Sequence, residues 1–361
     1  MNQLASLEGN NFWSPQSSTS HVKMVQDAVL GTYIFTKKWL NIPRSNFFQM
    51  CMKLDMKGAD WDMGYIQYKF KHITKVLKKH NKPTHYTGKF LFSMMLADDF
   101  QYTSKNDADP DEPIVKIVDG VLLEGTINKK QLGGGQYSIV HLLGKEYSIQ
   151  DALTFTNCVQ FVSEEFLKWH SFSISLNDCL VKHSISKMED IIQKGYIEAE
   201  EIEKNTKNKD IIEASVIGVL SNSKTVGQKL AKDLMIETNG ITHSCKENNN
   251  FVHTVTSGSK GAYFNIAQIT TMLGQQNVNG SRINPQLDGG RTLPHYAFND
   301  LSINDKYESR GFIKSSFIQG LKPQEFLFHA CSGRIGVIDK LIVSITAGCH
   351  LLNKWINSVS C

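Results

Sequence analysis

The chain lacks the cysteine patterns that mark zinc-binding and disulfide-rich proteins. It holds seven cysteines among 361 residues, and none of them forms a C-x-x-C pair. Structural zinc sites commonly use such pairs, so we expect no zinc. The wide spacing of the cysteines also argues against a dense disulfide framework and favours a reducing compartment.

The chain also lacks a long hydrophobic run and a secretory leader. No apolar segment approaches the roughly 18 residues of a membrane span. Met1–Trp13 has neither a basic start nor an apolar core. We therefore expect an intracellular protein that does not use a membrane. The net charge of +4 is too small to indicate a nucleic-acid partner by itself.

The chain is long and hydrophobic enough for two or three domains, since it has 361 residues and 41% of them are hydrophobic. The most informative stretch runs from Thr256 to His295. Gly258 and Gly261 bracket a tight turn, and Asn279-Gly280 is a strong turn dipeptide.

Between these two turns the pattern predicts a helix and then a polar loop over 274–277. Four residues are expected on the buried face of the helix: Phe264, Ile266, Ile269 and Met272. By chemistry alone, the stretch is a pair of glycine- and amide-rich loops suited to polar recognition. Its charged side chains are Lys260, Arg282 and Arg291.

Three motifs in this stretch carry a resemblance to a known family. They are G-S-K-G-x-x-x-N-I-x-Q, G-Q-Q-x-V-x-G-x-R-I and R-T-L-P-H, in this order. Together they resemble the pore and funnel region of the largest subunit of multisubunit DNA-directed RNA polymerases. The version is that of eukaryotes and large DNA viruses, and the Asn- and Lys-rich sequence favours a viral source.

The beginning of the chain resembles the segment that follows the catalytic metal loop of that family. S-P-Q-S from Ser14 and V-Q-D from Val25 carry this likeness, and they predict a loop that enters a helix near Asp27. The family's metal-holding motif, N-A-D-F-D-G-D, does not occur in the sequence. The resemblance thus implies magnesium in the assembled enzyme, not bound by this chain.

An acidic segment offers a competing metal hypothesis. Asp107, Asp109 and Asp111 alternate in a way that suits a divalent cation. However, Pro110 interrupts the run, and acidic segments with proline are typical of solvated connections. We expect a solvated loop here.

The segment that follows is expected to contribute to the pore. The pattern over Val118–Gly125 predicts a strand, a turn and a second strand. Lys129 and Lys130 precede a run of three glycines, which favours either a glycine-rich hairpin tip or a phosphate cradle. The resemblance to D-G-x-x-x-x-G-x-x-x-K-K-x-x-G supports the second alternative, because this region lines the pore in the family.

Three helical regions complete the prediction. Residues 151–183, from Ala152 through Trp169-His170, predict a helical region that should bury Val159, Val162, Phe166 and Leu167. Residues 185–236 predict two antiparallel helices that break near Asn205–Lys209, which resembles the funnel hairpin. Pro323 suits a first helical turn, and the sequence around it resembles the start of the bridge helix.

The family pattern fails after Asp339. We expect the helix to continue at least to Ala347 and to carry a broad apolar surface. Its apolar residues are Leu341, Ile342, Ile345, Leu351, Leu352 and Trp355.

These observations predict an α+β fold in three parts. A small-sheet pore domain is expected over 1–184, a helical funnel over 185–305, and the start of the cleft domain with part of the bridge helix over 306–361. The resemblance implies a set of residues that line the pore or contact nucleic acid. They are Lys129, Lys130, Lys260, Gln275, Gln276, Arg282, Arg291, His295, Arg334 and Ser344.

The resemblance also implies the partners. The chain would act in a nucleotidyltransferase complex with the second-largest subunit, the rest of the largest subunit and the other subunits. The complex would use template DNA, RNA and nucleoside triphosphates, in the cytoplasm or virion for a virus and in the nucleus for a cell. One alternative stays open: a truncated, non-catalytic remnant that only binds other polymerase subunits or nucleic acid.

Overall fold

A computed structural model of the chain describes residues 11–37, 40–54, 63–106, 112–180, 184–237, 249–297 and 301–359. The acidic segment Asp107–Asp111 lies outside these ranges. The chain divides into two compact units. Unit 1 is Met1–Ser175 with Asn250–Ala262, and unit 2 is Leu176–Asn249 with Tyr263–Cys361. The three-domain boundaries expected from the sequence stay a prediction.

Helices dominate both units, and small antiparallel sheets accompany them, as the predicted α+β class requires. The described helices are Asp27–Phe35 (α1), Arg44–Cys51 (α2), Met63–Lys79 (α3), Gly88–Ser93 (α4), Lys129–Leu132 (α5), Ile139–Glu146 (α6), Ile149–His170 (α7), Leu176–Cys179 (α8), Ser184–Asn205 (α9), Lys209–Glu237 (α10), Asn250–Thr256 (α11), Tyr263–Thr270 (α12), Ile303–Glu308 (α13) and Pro323–Val359 (α14).

The described strands are Tyr102–Lys105 (β1), Ile114–Val118 (β2), Val121–Glu124 (β3), Gly274–Gln275 (β4), Asn277–Val278 (β5), Ser281–Arg282 (β6) and Phe312–Ile313 (β7). Among the described helices, none is both long and apolar enough to cross a membrane.

The helix α1 is the centre of unit 1. It begins at Asp27, as predicted, and every residue from Ala28 to Phe35 is buried. A helix that is apolar on all sides requires neighbours on all sides. One neighbour is α7, whose residues Val159, Val162 and Phe166 are fully buried as expected.

The predicted strand–turn–strand segment is confirmed. The strands β1, β2 and β3 form an antiparallel sheet in that order. Asp119 and Gly120 connect β2 to β3 with φ values of 51° and 70°, the backbone of a tight hairpin turn.

Of the two alternatives for the glycines after Lys130, the structure excludes the hairpin tip, and the phosphate cradle stays a prediction. Lys129–Leu132 is a helical turn, and Asn128 caps it by accepting a hydrogen bond from the backbone N–H of Lys130 at 2.8 Å. Gln131 accepts in turn from the backbone N–H of Asn128 at 3.1 Å. Because side chains satisfy these donors, no partner strand is needed, and the glycines connect α5 to α6.

The predicted pair of antiparallel helices forms the core of unit 2. It consists of α9 and α10, and the break lies between Asn205 and Lys209 as expected. Gly195 on α9 faces Ser223 on α10, and Gly227 faces Met188. A later residue of α10 thus meets an earlier residue of α9, which is the antiparallel arrangement.

The helix α12 buries the predicted face only in part. Ile266 is buried and so, beyond the helix end, is Met272, but Phe264 is exposed. Ala267 and Thr270 complete the buried face instead. Successive helical residues are separated by about 100°, so Phe264 lies ~160° from Ile266 around the axis.

The helix α14 begins at Pro323, as predicted, and extends through Val359. Its first turns contribute the buried Glu325 and Phe328. Beyond Ile338 its described side chains are exposed, including the apolar Leu341, Ile342, Ile345 and Leu351. This confirms the expected apolar surface for these four residues.

The first prediction concerns Gly88, at the start of α4. A Cβ at this position would overlap the backbone carbonyl of Phe35 at the end of α1. Because that carbonyl belongs to a buried helix and has no room to move, Gly88→Ala should lower the free energy of unfolding by about 3 kcal/mol. Urea unfolding measures the loss.

The matched control is Gly135→Ala. Nothing lies within 4 Å of a Cβ there, and Gly135 is not among the glycines with positive φ. Its unfolding free energy should stay within about 0.5–1 kcal/mol of the wild-type value. Equal unfolding midpoints for the two variants would contradict the role given to Gly88.

Candidate functional site

Three of the predicted site lysines belong to two adjoining segments of unit 1. Lys129 and Lys130 begin α5, and Lys260 lies in the turn after α11. The backbone N–H of Lys129 donates to the carbonyl of Ser257 at 2.9 Å. All three lysines are exposed. The turn and the start of α5 together form a cationic surface, which we call the lysine patch.

The turn depends on glycine. Gly258 has a φ of 75°, and a Cβ there would approach the Lys129 Cβ to 2.8 Å. The hydroxyls of Ser257 and Ser259 both donate to the carbonyl of Thr254, at 3.1 and 3.0 Å. These bonds close the turn on itself, and the close approach of Gly258 to Lys129 explains why the motif requires glycine there.

The central helix α1 positions both segments of the lysine patch. The hydroxyl of Thr36, at its end, accepts a hydrogen bond from the backbone N–H of Ile127 at 3.0 Å. The ammonium of the next residue, Lys37, lies 3.3 Å from Nε2 of His253 on α11. Thr36 and Lys37 are both buried. Thr36 thus holds the chain just before α5, and Lys37 contacts α11, the helix just before the turn.

The polar loop expected over 274–277 is wrong. Gly274–Gln275 is a strand that pairs with Phe312–Ile313, and Gln275 and Gln276 are buried. The Gln275 amide donates to the carbonyls of Gln276 at 2.8 Å and Arg310 at 2.9 Å. The neighbouring backbone thus pairs the Gln275 amide nitrogen, while its buried Oε1 has no hydrogen-bond partner among the described residues.

Gln276 joins β4 to the long helix α14. Its amide nitrogen donates to the carbonyl of Gly274 at 3.2 Å, and its amide oxygen lies 3.2 Å from Nδ1 of His329. Ser332, one turn further along α14, donates to the carbonyl of Asn277 at 2.9 Å. The G-Q-Q motif therefore fixes where α14 leaves the body of unit 2.

Arg282 is buried in an ion pair within unit 2. Its Nε and a terminal nitrogen contact the two carboxylate oxygens of Glu213 on α10, at 2.9 and 2.7 Å. A second carboxylate, Glu203 on α9, lies 3.8 Å away. Arg310 adds a contact of 3.4 Å to Glu213. Two-point contact of this kind is the strongest hydrogen-bonding mode of arginine.

This network has a clear electrostatic consequence. The hydrogen bond from Arg282 holds the pKa of the Glu213 carboxyl below its ordinary value of 4.5, although partial burial opposes the shift. Glu213 is therefore ionised throughout the neutral range. The hairpin β5–β6, with the predicted turn at Asn279 (φ 51°) and Gly280 (φ 79°), is tied to α10 by this pair.

The four remaining predicted residues lie in unit 2 on segments that the structure does not bring into one site. Arg291 closes a small loop, where its backbone carbonyl accepts from Leu287 at 2.9 Å and its Nε donates to Asp288 at 3.2 Å. His295 is exposed. Arg334 and Ser344 are exposed on α14. A role of these ten residues toward nucleic acid stays a prediction.

Sequence reasoning missed the residues that hold the predicted ones. Glu213 is one of many acidic residues in the charged α9–α10 segment, and no spacing signal distinguishes it. Arg310 and His329 lie in recognised motifs, yet their partners Glu213 and Gln276 are 97 and 53 positions away along the chain. Only the tertiary structure pairs them.

The described residues include no group of three His, Cys, Asp or Glu side chains that is suited to hold a metal ion. That the assembled enzyme uses magnesium held outside this chain stays a prediction.

The second prediction concerns the Glu213–Arg282 pair. Replacing Glu213 by glutamine should lower the free energy of unfolding by about 1–3 kcal/mol at pH 7, because a buried guanidinium would lose its charged partner. Glu213→Gln and Glu201→Gln are compared by urea unfolding, since Glu201 is an exposed glutamate on α9. Equal losses for the two variants would refute the prediction.

The pH dependence of that loss has a definite sign. Folding lowers the pKa of Glu213, so its contribution is complete above the ordinary value of 4.5 and is lost as pH falls through the folded value. The stability difference between the wild type and Glu213→Gln should be constant from about pH 7 to 5 and shrink below that. A difference that grows on acidification would contradict this account.

Two family models match the chain in succession. The model of RNA polymerase Rpb1, domain 3, matches residues 11–179, and that of RNA polymerase Rpb1, domain 4, matches residues 184–313. The two matches meet between unit 1 and the α9–α10 hairpin. The order of the matched domains is the order in which they are numbered in that protein.

Individual proteins give the same result. The chain is 36% identical over 353 residues to a probable DNA-directed RNA polymerase II subunit RPB1 homolog of Invertebrate iridescent virus 6. The alignment covers 93% of this chain and 33% of the viral protein. It is 30% identical over 369 residues to two Trypanosoma brucei brucei proteins, DNA-directed RNA polymerase II subunits RPB1-A and RPB1-B.

The trypanosome alignments cover 97% of this chain and 19% of each relative. The chain thus spans about a third of the viral relative and about a fifth of the trypanosome ones. Nearly all of its length aligns in each case. This chain therefore belongs to the family of DNA-directed RNA polymerase largest subunits, in which it corresponds to Rpb1 domains 3 and 4.

Proposed function

We propose that this chain forms the nucleotide-entry pore and funnel, with part of the bridge helix, of a multisubunit DNA-directed RNA polymerase. The observation that carries the proposal is the succession of Rpb1 domains 3 and 4 over residues 11–313, followed by a helix that begins at Pro323. The complex joins ribonucleotides to RNA on a DNA template. Within this complex, the protein partners of the chain are the second-largest subunit and the remaining parts of the largest one.

The lysine patch supports a role in nucleotide passage. Lys129, Lys130 and Lys260 are exposed on two segments that a buried helix anchors. A fixed cluster of like charges attracts phosphate-bearing ligands and raises their local concentration. The patch guides nucleoside triphosphates or the RNA 3′ end and performs no chemistry itself.

The exposed part of α14 supports a role as a bridge. From Lys340 to Leu351 every residue of this helix is exposed. Isolated helices are marginally stable in water, so such a helix gains stability from partners. Within the complex these partners are other polymerase subunits and the nucleic acid. The contact between Gln276 and His329 holds the beginning of the helix to unit 2.

The third prediction tests this function with a chimera. Residues 11–359 replace the aligned third of the Invertebrate iridescent virus 6 protein, and the assembled polymerase is purified with its own remaining subunits. Template-dependent RNA synthesis should stay within about tenfold of the viral enzyme, about 1.4 kcal/mol in the barrier. The control lacks residues 340–359 and should assemble but lose synthesis.

The same assay includes the chain alone with DNA, nucleoside triphosphates and Mg²⁺. It should incorporate no nucleotide, because the given sequence does not contain the family's metal-holding motif N-A-D-F-D-G-D. Synthesis by the chain alone would contradict the proposal. Assembly of the chimera without any synthesis would instead favour a non-catalytic remnant.

The fourth prediction concerns the acidic segment. In the chimera, Asp107, Asp109 and Asp111 are replaced together by asparagine. Synthesis should change by less than about threefold, since a solvated loop contributes little to the reaction. A loss of about a hundredfold, or ~2.7 kcal/mol in the barrier, would identify the segment as a metal site.

A further inference from the structure

Unit 1 contains a cleft that the proposed function does not use. Its volume is about 540 Å³, within the range of roughly 300–1,000 Å³ that is typical of ligand sites. One wall is the loop after Phe12, which carries Trp13 and Ser18. The other wall is residues 136–145, which carry Tyr137, His141 and Lys145.

Packing against neighbouring residues holds the aromatic side chains of the cleft in place. Trp13 meets His141 edge to face, with ring centres 5.2 Å apart and planes at 78°. A Cβ on Gly144 would lie 3.0 Å from the Trp13 ring, so glycine leaves the room that the indole occupies. The backbone N–H of His21 donates to the carbonyl of Phe12 at 2.9 Å, and this bond closes the loop that carries Trp13.

The rim of the cleft is strained. Tyr137 and Ser18 have φ values of 61° and 52°, which are rare for residues with a side chain. Tyr137 is 73% exposed, so burial does not offset the strain of its backbone. Strained residues of this kind concentrate at ligand sites, where the surrounding structure maintains them.

The cleft also has a positive charge in its lining. Lys145 is exposed at the end of α6, and none of the described lining residues is acidic. The ligand that fits is therefore an anion with a flat ring.

We propose that this cleft binds a nucleotide unit, with its base stacked on the aromatic side chains and its phosphate near Lys145. Every nucleobase has a flat face for an aromatic ring, so the site accepts any sequence. Ser18 and Gln136 provide polar groups at the base edge. The inference rests on the proposed function only for the presence of nucleotides, which come free or as the end of a single strand.

The fifth prediction tests this site with the full chain. Binding of fluorescein-labelled hexa-adenylate RNA is measured by anisotropy in 0.1 M salt. Tyr137→Gly should weaken binding by about 5- to 100-fold, the usual effect of losing a stacked ring. Tyr137→Phe keeps the ring and should stay within about threefold.

Tyr137→Gly separates binding from folding. Glycine tolerates a φ of 61°, so this variant should unfold at the same urea concentration as the wild type or a higher one. Phe161→Ala is the matched control, because Phe161 is an exposed aromatic residue of unit 1 outside the cleft. It should leave binding unchanged.

Lys145→Gln tests the phosphate contact. It should weaken RNA binding and reduce the slope of log affinity on log salt by about 0.7, as expected for one lost contact to a single strand. Lys71→Gln, at an exposed lysine on α3, should leave the slope unchanged. Competition by AMP would identify a mononucleotide site, and RNA binding without such competition would identify a strand site.

The proposal would be overturned if Tyr137→Gly and Lys145→Gln bound RNA like the wild type. It would also be overturned if a neutral proline-rich peptide bound with the same dependence on these residues and RNA did not. This assay requires no RNA synthesis. A chimera that fails to synthesise RNA therefore leaves the outcome for the cleft unaffected.

Discussion

Close packing around the buried helix α1 is the constraint on which unit 1 depends. On one side Gly31 faces Ser163 of α7, where an added Cβ would lie 2.9 Å from the serine Cβ. At its end Gly88 allows α4 to approach the carbonyl of Phe35. Burial of a helix on all sides removes its freedom to shift, because interiors are packed as densely as crystals. The positions of α4 and α7 follow from it.

The lysine patch of unit 1 is attached to this closely packed helix. Thr36 and Lys37 continue α1 and contact Ile127 and His253, so both segments of the lysine patch are tied to the core. Charges on a fixed frame act at a defined place without an ordering cost when a ligand arrives. In unit 2 the Glu213–Arg282 pair has the corresponding role, since it ties the β5–β6 hairpin to α10.

Much of the fold was predictable because it depends on local rules. The period of apolar residues indicates α7 and the α9–α10 pair, and Pro323 marks the start of α14. The dipeptides Asp119-Gly120 and Asn279-Gly280 predict turns through their tolerance of positive φ. The helical turn at Lys129–Leu132 and the burial of Gln275-Gln276 were not predicted. In both, a capping side chain or a distant strand satisfies the backbone, and local sequence does not show either.

The sequence by itself determined the family and the order of the elements, since motifs and periodicity are properties of neighbouring residues. Only the tertiary structure decided how the motif residues are used. Gln276 and Arg282 are polar residues in polar motifs, yet their amide and guanidinium groups are buried against His329 and Glu213. Burial and charge pairing depend on residues far apart in the chain. Trp13 and Tyr137 likewise share a cleft only because the chain folds back over more than a hundred positions.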